Sequence, residues 1–181
     1  MKTFLLSLVF ACRLVSGYSQ QISETDKLAS LCRIWGMLKY FHPAVAQGKM
    51  NWDEVFISEV DSLAHINDKD ALNAHYCRWV SGLGDIKSYL AETTDFDKTC
   101  NFNSSLKWID SGSAFTPQLT ALLKDVVVHR CTEHNRFVRP QTKFVAAAEF
   151  TNEEEYPDLV YPAKEYRMLT LARYWNMIEY F

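Results

Sequence analysis

LCRIWGMLKYF (residues 31–41) and LARYWNMIEYF (residues 171–181) are two versions of one stretch. Leu, Arg, Trp, Met, Tyr and Phe are identical in six of the eleven positions, and Cys32/Ala172 and Leu38/Ile178 are apolar in both. Leu31, Trp35 and Leu38 recur at the spacing of one helix face, as do Leu171, Trp175 and Ile178. Two amphipathic helices carrying the same large residues are expected to pack as a pseudo-symmetric pair. Trp35 and Trp175 hold the largest apolar surface of each stripe, so both are expected to be buried.

Outward from these stretches the signals are mostly helical. Ser23 with Asp26 three residues on is a helix start, and Leu28 joins its apolar stripe. Pro43 stops or bends that helix after His42. Trp52, Phe56, Val60 and Leu63 mark a second helix. Asp68 caps a third through Leu72, Tyr76, Trp79 or Val80, and Leu83, ended by Gly82 and Gly84. Thr116-Pro117 opens a further helix through Leu119, Leu122, Leu123 and Val126. A last one begins near Pro162 and runs through Met168, Leu171, Ala172, Trp175 and Ile178. Residues 85–115 read mainly as loop, with Trp108 on a short strand. Phe144, Ala146, Ala148 and Phe150 alternate as a strand does, over residues 143–150. The fold class expected is mainly α: a small helical domain with a minor β element.

The chain has 181 residues, net charge −3, 48% hydrophobic and 23% charged residues. This composition excludes a disordered or collagen-like chain. The near-neutral charge argues against nucleic acid as a partner, which calls for a basic patch. Six glycines and five prolines lean away from a turn-rich β-sandwich.

Residues 1–19 read as a secretory signal peptide. Lys2 precedes the apolar run of Phe4, Leu5, Leu6, Leu8, Val9 and Phe10, and small residues follow at Gly17 and Ser19. The run is too short to span a bilayer and Arg13 interrupts it, so no transmembrane span is expected after its removal. Val9-Phe10-Ala11-Cys12 faintly resembles a lipoprotein box, a lesser option. The expected location is periplasmic or extracellular. Residues 20–140 then form a helical domain. Residues 141–181 form a connecting strand and the start of a second helical unit. The second copy of the echo stops at Phe181 without a glycine or polar tail, so the chain is expected to be the front of a longer protein.

Export permits disulfides among Cys32, Cys77, Cys100 and Cys131. Cys32 and Cys77 lie in helical patterns and suit buried thiols. Cys100 with Cys131 is the favoured pair if one forms.

LASLCRIWGMLKYFHP (residues 28–43) followed by NWDE (residues 51–54) resembles the start of exported bacterial tail-specific, or C-terminal processing, serine peptidases. EFTNE (residues 149–153), Tyr156-Pro157, YRML (residues 166–169) and RYWNMIEYF (residues 173–181) resemble the stretch leading into the next helical part of the same proteins. The resemblance covers about residues 24–54 and 148–181 and belongs to the non-catalytic front of the family. It implies a PDZ-like module and a downstream α/β peptidase core, whose serine is activated by lysine or another base. It also implies peptide or protein substrates, with the downstream core of the same protein as partner. No Gly-x-Ser-x-Gly occurs here. No residue inherits a catalytic role, and no cofactor-binding or metal site is expected. A stand-alone exported helical peptide- or protein-binding module is the alternative.

The remaining chemistry is sparse. His42, His65, His75, His129 and His134 form no His-x-x-x-His pair. Cys131-x-x-His134 has metal-like spacing without a second pair. His42 reads as a helix-end residue favouring the negative end of the dipole. Arg33 and Arg173 occupy matching positions beside the two tryptophans. Such a guanidinium either recognises a carboxylate, such as a peptide end, or packs on a ring and pairs with a nearby acid. Tyr40-Phe41 and Tyr180-Phe181 read as core or interface, and Glu153-Glu154-Glu155 as a solvated turn. Asn103-Ser104-Ser105 is a glycosylation sequon that a bacterial periplasmic protein would leave bare.

Overall fold

The computed structural model describes residues 20–89, 106–110, 114–131, 135–139 and 148–181. The expected signal peptide, Cys100, the sequon and residues 143–147 of the expected strand lie outside the described residues. The fold is mainly α with a minor β element. The elements are α1 (Glu24–Phe41), α2 (Pro43–Ala46), α3 (Trp52–Ala64), α4 (Lys69–Gly82), α5 (Lys107–Asp110) and α6 (Pro117–Val128). Then come β1 (Val138–Arg139), β2 (Glu149–Phe150) and α7 (Lys164–Tyr180).

Helix starts follow their caps. Ser23, Asn51, Asp68 and Thr116 each accept from an amide of the first turn. Pro43 and Pro117 sit in the first turns of α2 and α6, where the missing N–H costs nothing. Trp108 lies in the short helix α5, not on a strand, and its indole meets Phe115 edge-on. β1 and β2 pair antiparallel, Val138 with Phe150 and Arg139 with Glu149. Only the end of the alternating stretch is described as strand, and its partner, Val138–Arg139, carries no alternation long enough to be read.

α1 is the centre of the molecule. Leu31, Ile34, Trp35, Met37 and Leu38 are all fully buried, and from Ile34 to Phe41 the helix is covered on every side rather than on one stripe. Its tryptophan anchors an aromatic column. Trp35 stacks on Trp52 with ring centres 6.3 Å apart, and Trp52 stacks on Trp79 at 5.9 Å. Phe56 meets Trp35 edge-on at 5.2 Å. The two indoles also satisfy each other's backbone. Trp35 Nε1 donates to the Trp52 carbonyl at 2.9 Å, and Trp52 Nε1 donates to the Trp35 carbonyl at 3.2 Å. Large apolar area and satisfied indole donors thus coincide in one contact. Lys27, also buried, donates to the Leu63 and Ile66 carbonyls at the end of α3, where helix carbonyls lack partners. Asn73 ties α4 to the start of α6 by accepting from Thr116 N.

α7 lies along α1, parallel and in register with it. Lys164 pairs with Glu24, 140 residues away, at the starts of the two helices. Asn176 faces Gly36 at the crossing, and Tyr180 meets Tyr40 edge-on near the ends. These are equivalent positions of the echo, so the expected pseudo-symmetric pair is present. The one position where glycine in the first copy is replaced by a larger polar residue is the point of closest approach. A Cβ at Gly36 would overlap the Asn176 amide. That amide donates to the Cys32 and Ala172 carbonyls at 2.9 and 2.7 Å.

One expectation about the pair fails. Trp35 is fully buried, but Trp175 is 49% exposed, and Leu171 and Ile178 are more exposed still. The side of α1 that bears Trp35 is covered by α3. Nothing among the described residues covers the same side of α7, which buries Leu169, Ala172, Asn176 and Tyr180 on the side that faces α1 and α3.

Candidate functional site

Four charges meet where α1, α3, α7 and the segment after β2 converge. Lys39, on the last turn of α1, is 1% exposed. Its Nζ lies 2.5 Å from Glu153 Oε1 and 4.9 Å from the ring centres of both Trp35 and Phe137. Arg173 on α7 places Nε 3.0 Å from Glu153 Oε2 and pairs Nη2 with Asp53 Oδ2. Its Nη1 donates to the Glu154 carbonyl at 3.0 Å, and its guanidinium lies over the Tyr156 ring. Tyr156 in turn donates to Asp53 Oδ2 at 3.3 Å.

Burial pushes the Lys39 amine below the ordinary lysine range, an effect that the Glu153 carboxylate opposes. Burial, reinforced by Asp53, pushes the Tyr156 hydroxyl up to about 12. Two cations against two anions, closed by cation–π contacts, form a clamp rather than a poised acid–base pair. A shallow cleft of about 220 Å³ adjoins it, lined by Lys49, Asn51, Asp53, Asn152 and Glu154 among others.

Arg173 therefore follows the plainer of its two readings: it pairs with nearby carboxylates and packs on a ring. Arg33, its equivalent, is exposed and has no carboxylate partner among the described residues. Glu153 is a correction. It is not part of a solvated turn, since its side chain is 19% exposed and engaged by both cations. Glu154 and Glu155 are exposed as expected. Tyr40, Phe41 and Tyr180 are buried in the α1–α7 seam, in keeping with core or interface.

His42 is a second correction. It does stand at the C-terminal end of α1, but it is 1% exposed and neither ring nitrogen has a hydrogen-bond partner among the described residues. Burial lowers its pKa from 6.5 to about 4, so it is the neutral ring, not a cation on the helix dipole. The unfolded chain takes up this proton near pH 6.5 and the folded chain only near pH 4. Stability is therefore complete above pH 6.5 and falls by about 3 kcal/mol as pH drops towards 4. Denaturant titrations of the parent and of His42→Leu across this range check it: the pH slope is expected to flatten in the variant.

The other candidates are dispersed. His75 Nε2 lies 2.5 Å from Glu59 Oε2, joining α4 to α3. His129 bonds to the Asp125 carbonyl of its own helix. His134 lies outside the described residues, and no group of three metal-ligating side chains occurs among the described ones. Cys32, Cys77 and Cys131 are free thiols, and burial raises the Cys32 thiol to about 11. Ser104 and Lys107 have the Ser-x-x-Lys spacing of some serine hydrolases, and the serine lies outside the described residues.

The apolar side of α7 is the feature that chemistry-bearing motifs did not reveal. Between α1 and α7 runs a groove of about 480 Å³ lined by Leu28, Ala29, Cys32, Met168, Leu171 and Trp175, with Arg33 and Thr25 at its edge. No helix among the described residues is long and apolar enough to cross a membrane. No protein-family model matches the chain, nor does any curated protein or solved structure.

Proposed function

We propose that this chain is the exported, non-catalytic helical front of a tail-specific serine peptidase, whose proteolysis is carried by a downstream core. The observation behind this reading is the pair of Trp motifs. Their residues make the central contacts of the fold: Trp35 interlocks with Trp52, and Arg173 clamps Asp53 and Glu153. The role is architectural, a rigid platform that presents α7 to a neighbouring part of the protein. A stand-alone exported peptide- or protein-binding module is the second reading, favoured by the open apolar groove with Arg33 at its edge.

The test is the reading frame beyond codon 181, together with assay of the purified chain. A continuation into a serine peptidase core, with no casein turnover by residues 20–181 alone, is expected. A stop codon favours the binding module. Turnover that survives purification and vanishes on substituting a residue within 20–181 overturns the proposal.

A further inference from the structure

We infer that the groove between α1 and α7 is the seat of a helix of the α3 type, supplied by the polypeptide that continues beyond α7. This rests on the reading of the chain as the front of a longer protein. The occupant is an amphipathic helix with a Trp in its first turn, an acidic residue next to it and a Phe one turn on.

The argument is symmetry with chemistry on both sides. α1 and α7 run parallel with equivalent residues opposed, so a local twofold axis between them exchanges the two helices. α3 lies against the Trp35 side of α1 and also packs on α7, which it engages through the ion pair of Asp53 with Arg173. The same operation carries Trp35 onto Trp175 and Arg173 onto Arg33. It therefore carries α3 into a position against Trp175 that reaches α1 at Arg33.

That position is the groove. Leu171 and Trp175 on its α7 wall match Leu31 and Trp35, which face α3 in the first copy. Arg33 on its α1 wall matches Arg173. Among the described residues the groove is open, its Leu171 and Trp175 are exposed, and its arginine lacks the carboxylate that its counterpart holds. An α3-type helix supplies both missing elements at once: an aromatic face for Trp175 and an acid for Arg33.

The experiment extends the chain after Phe181 with a second copy of residues 42–66, which carries α2, the loop and α3. Amide exchange of α7 is then followed by mass spectrometry. Exchange over residues 171–178 is expected to slow about tenfold or more in the extended chain. Arg33→Glu should remove most of that protection. Changing the appended counterpart of Asp53 to Arg should restore it in the Arg33→Glu background.

Unchanged exchange in a folded extended chain overturns the inference. If the extended chain fails to fold, a synthetic peptide of residues 49–66 is titrated on the unextended chain. Perturbed Leu171 and Ile178 methyl signals then support the docking, and silent ones overturn it. A dimer of the unextended chain that dissociates on Trp175→Ser assigns the face to a second copy, which also overturns it. The peptidase reading fails separately. A downstream sequence without a peptidase core sinks that reading and leaves the docking intact, whereas a peptidase core with an unprotected α7 sinks only the docking.

Discussion

Trp35→Ala is expected to destabilise the fold by about 3–5 kcal/mol, the range for truncating a fully buried tryptophan. Trp175→Ala, at the equivalent position of the echo, is expected to cost less than about 1 kcal/mol, as a half-exposed residue away from the core does. Trp35 is at the centre of the aromatic column and loses contact with Trp52 and Phe56 together. Its removal also strips the Trp52 carbonyl of the indole that satisfies it. Trp175 is 49% exposed and has no such partner among the described residues. Against a total stability of roughly 5–15 kcal/mol, the first change is severe and the second minor. Equilibrium urea denaturation of the two variants measures both. Equal losses would show that the outer side of α7 is already covered in solution.

Glu153→Gln is expected to be comparably damaging, by about 3–5 kcal/mol, because it leaves a buried lysine without its counter-charge. Lys39 is 1% exposed and enclosed by the Trp35 and Phe137 rings, so water cannot replace the carboxylate. Removing both charges together, in Lys39→Met with Glu153→Gln, should recover most of the loss, since burying neither ion avoids both desolvation costs. The pH dependence has a definite sign. In the single variant the folded-state pKa of Lys39 falls further below its ordinary 10.5, so the unfolded chain binds the extra proton. Stability of Glu153→Gln should therefore rise as pH is raised towards 10.5, more steeply than in the parent. A flat difference between the two across alkaline pH would remove Lys39 as the source.

Helix starts were the most legible part of the fold. Ser23, Asp68 and Thr116-Pro117 act through the amides of their own first turns, so the information is local and survives reading without a structure. The α1–α7 pairing was legible for a related reason, because a repeated pattern of large residues specifies a repeated face. The strand was only partly legible. β2 pairs with Val138–Arg139, and a two-residue strand carries no periodicity of its own.

The candidate site was hardest to see. Glu153 sits in an acidic run, which by composition belongs in water. It is drawn in by Lys39 and Arg173, which lie 114 and 20 positions away in the chain. His42 reads as a helix-end cation and is a neutral core group, because what covers the end of α1 comes from elsewhere. Arg33 and Arg173 share one local sequence and have different partners.

By itself, then, the sequence determined where helices begin, that the chain is mainly α, and that two of its helices are versions of one pattern. Each of these depends on neighbours within a turn or on spacing along one face. Only the tertiary structure decided which of the two copies is buried, because burial belongs to a residue and to the element lying across from it. Among the described residues α1 has α3 across from its tryptophan and α7 has open groove, and no reading of the shared residues could tell them apart.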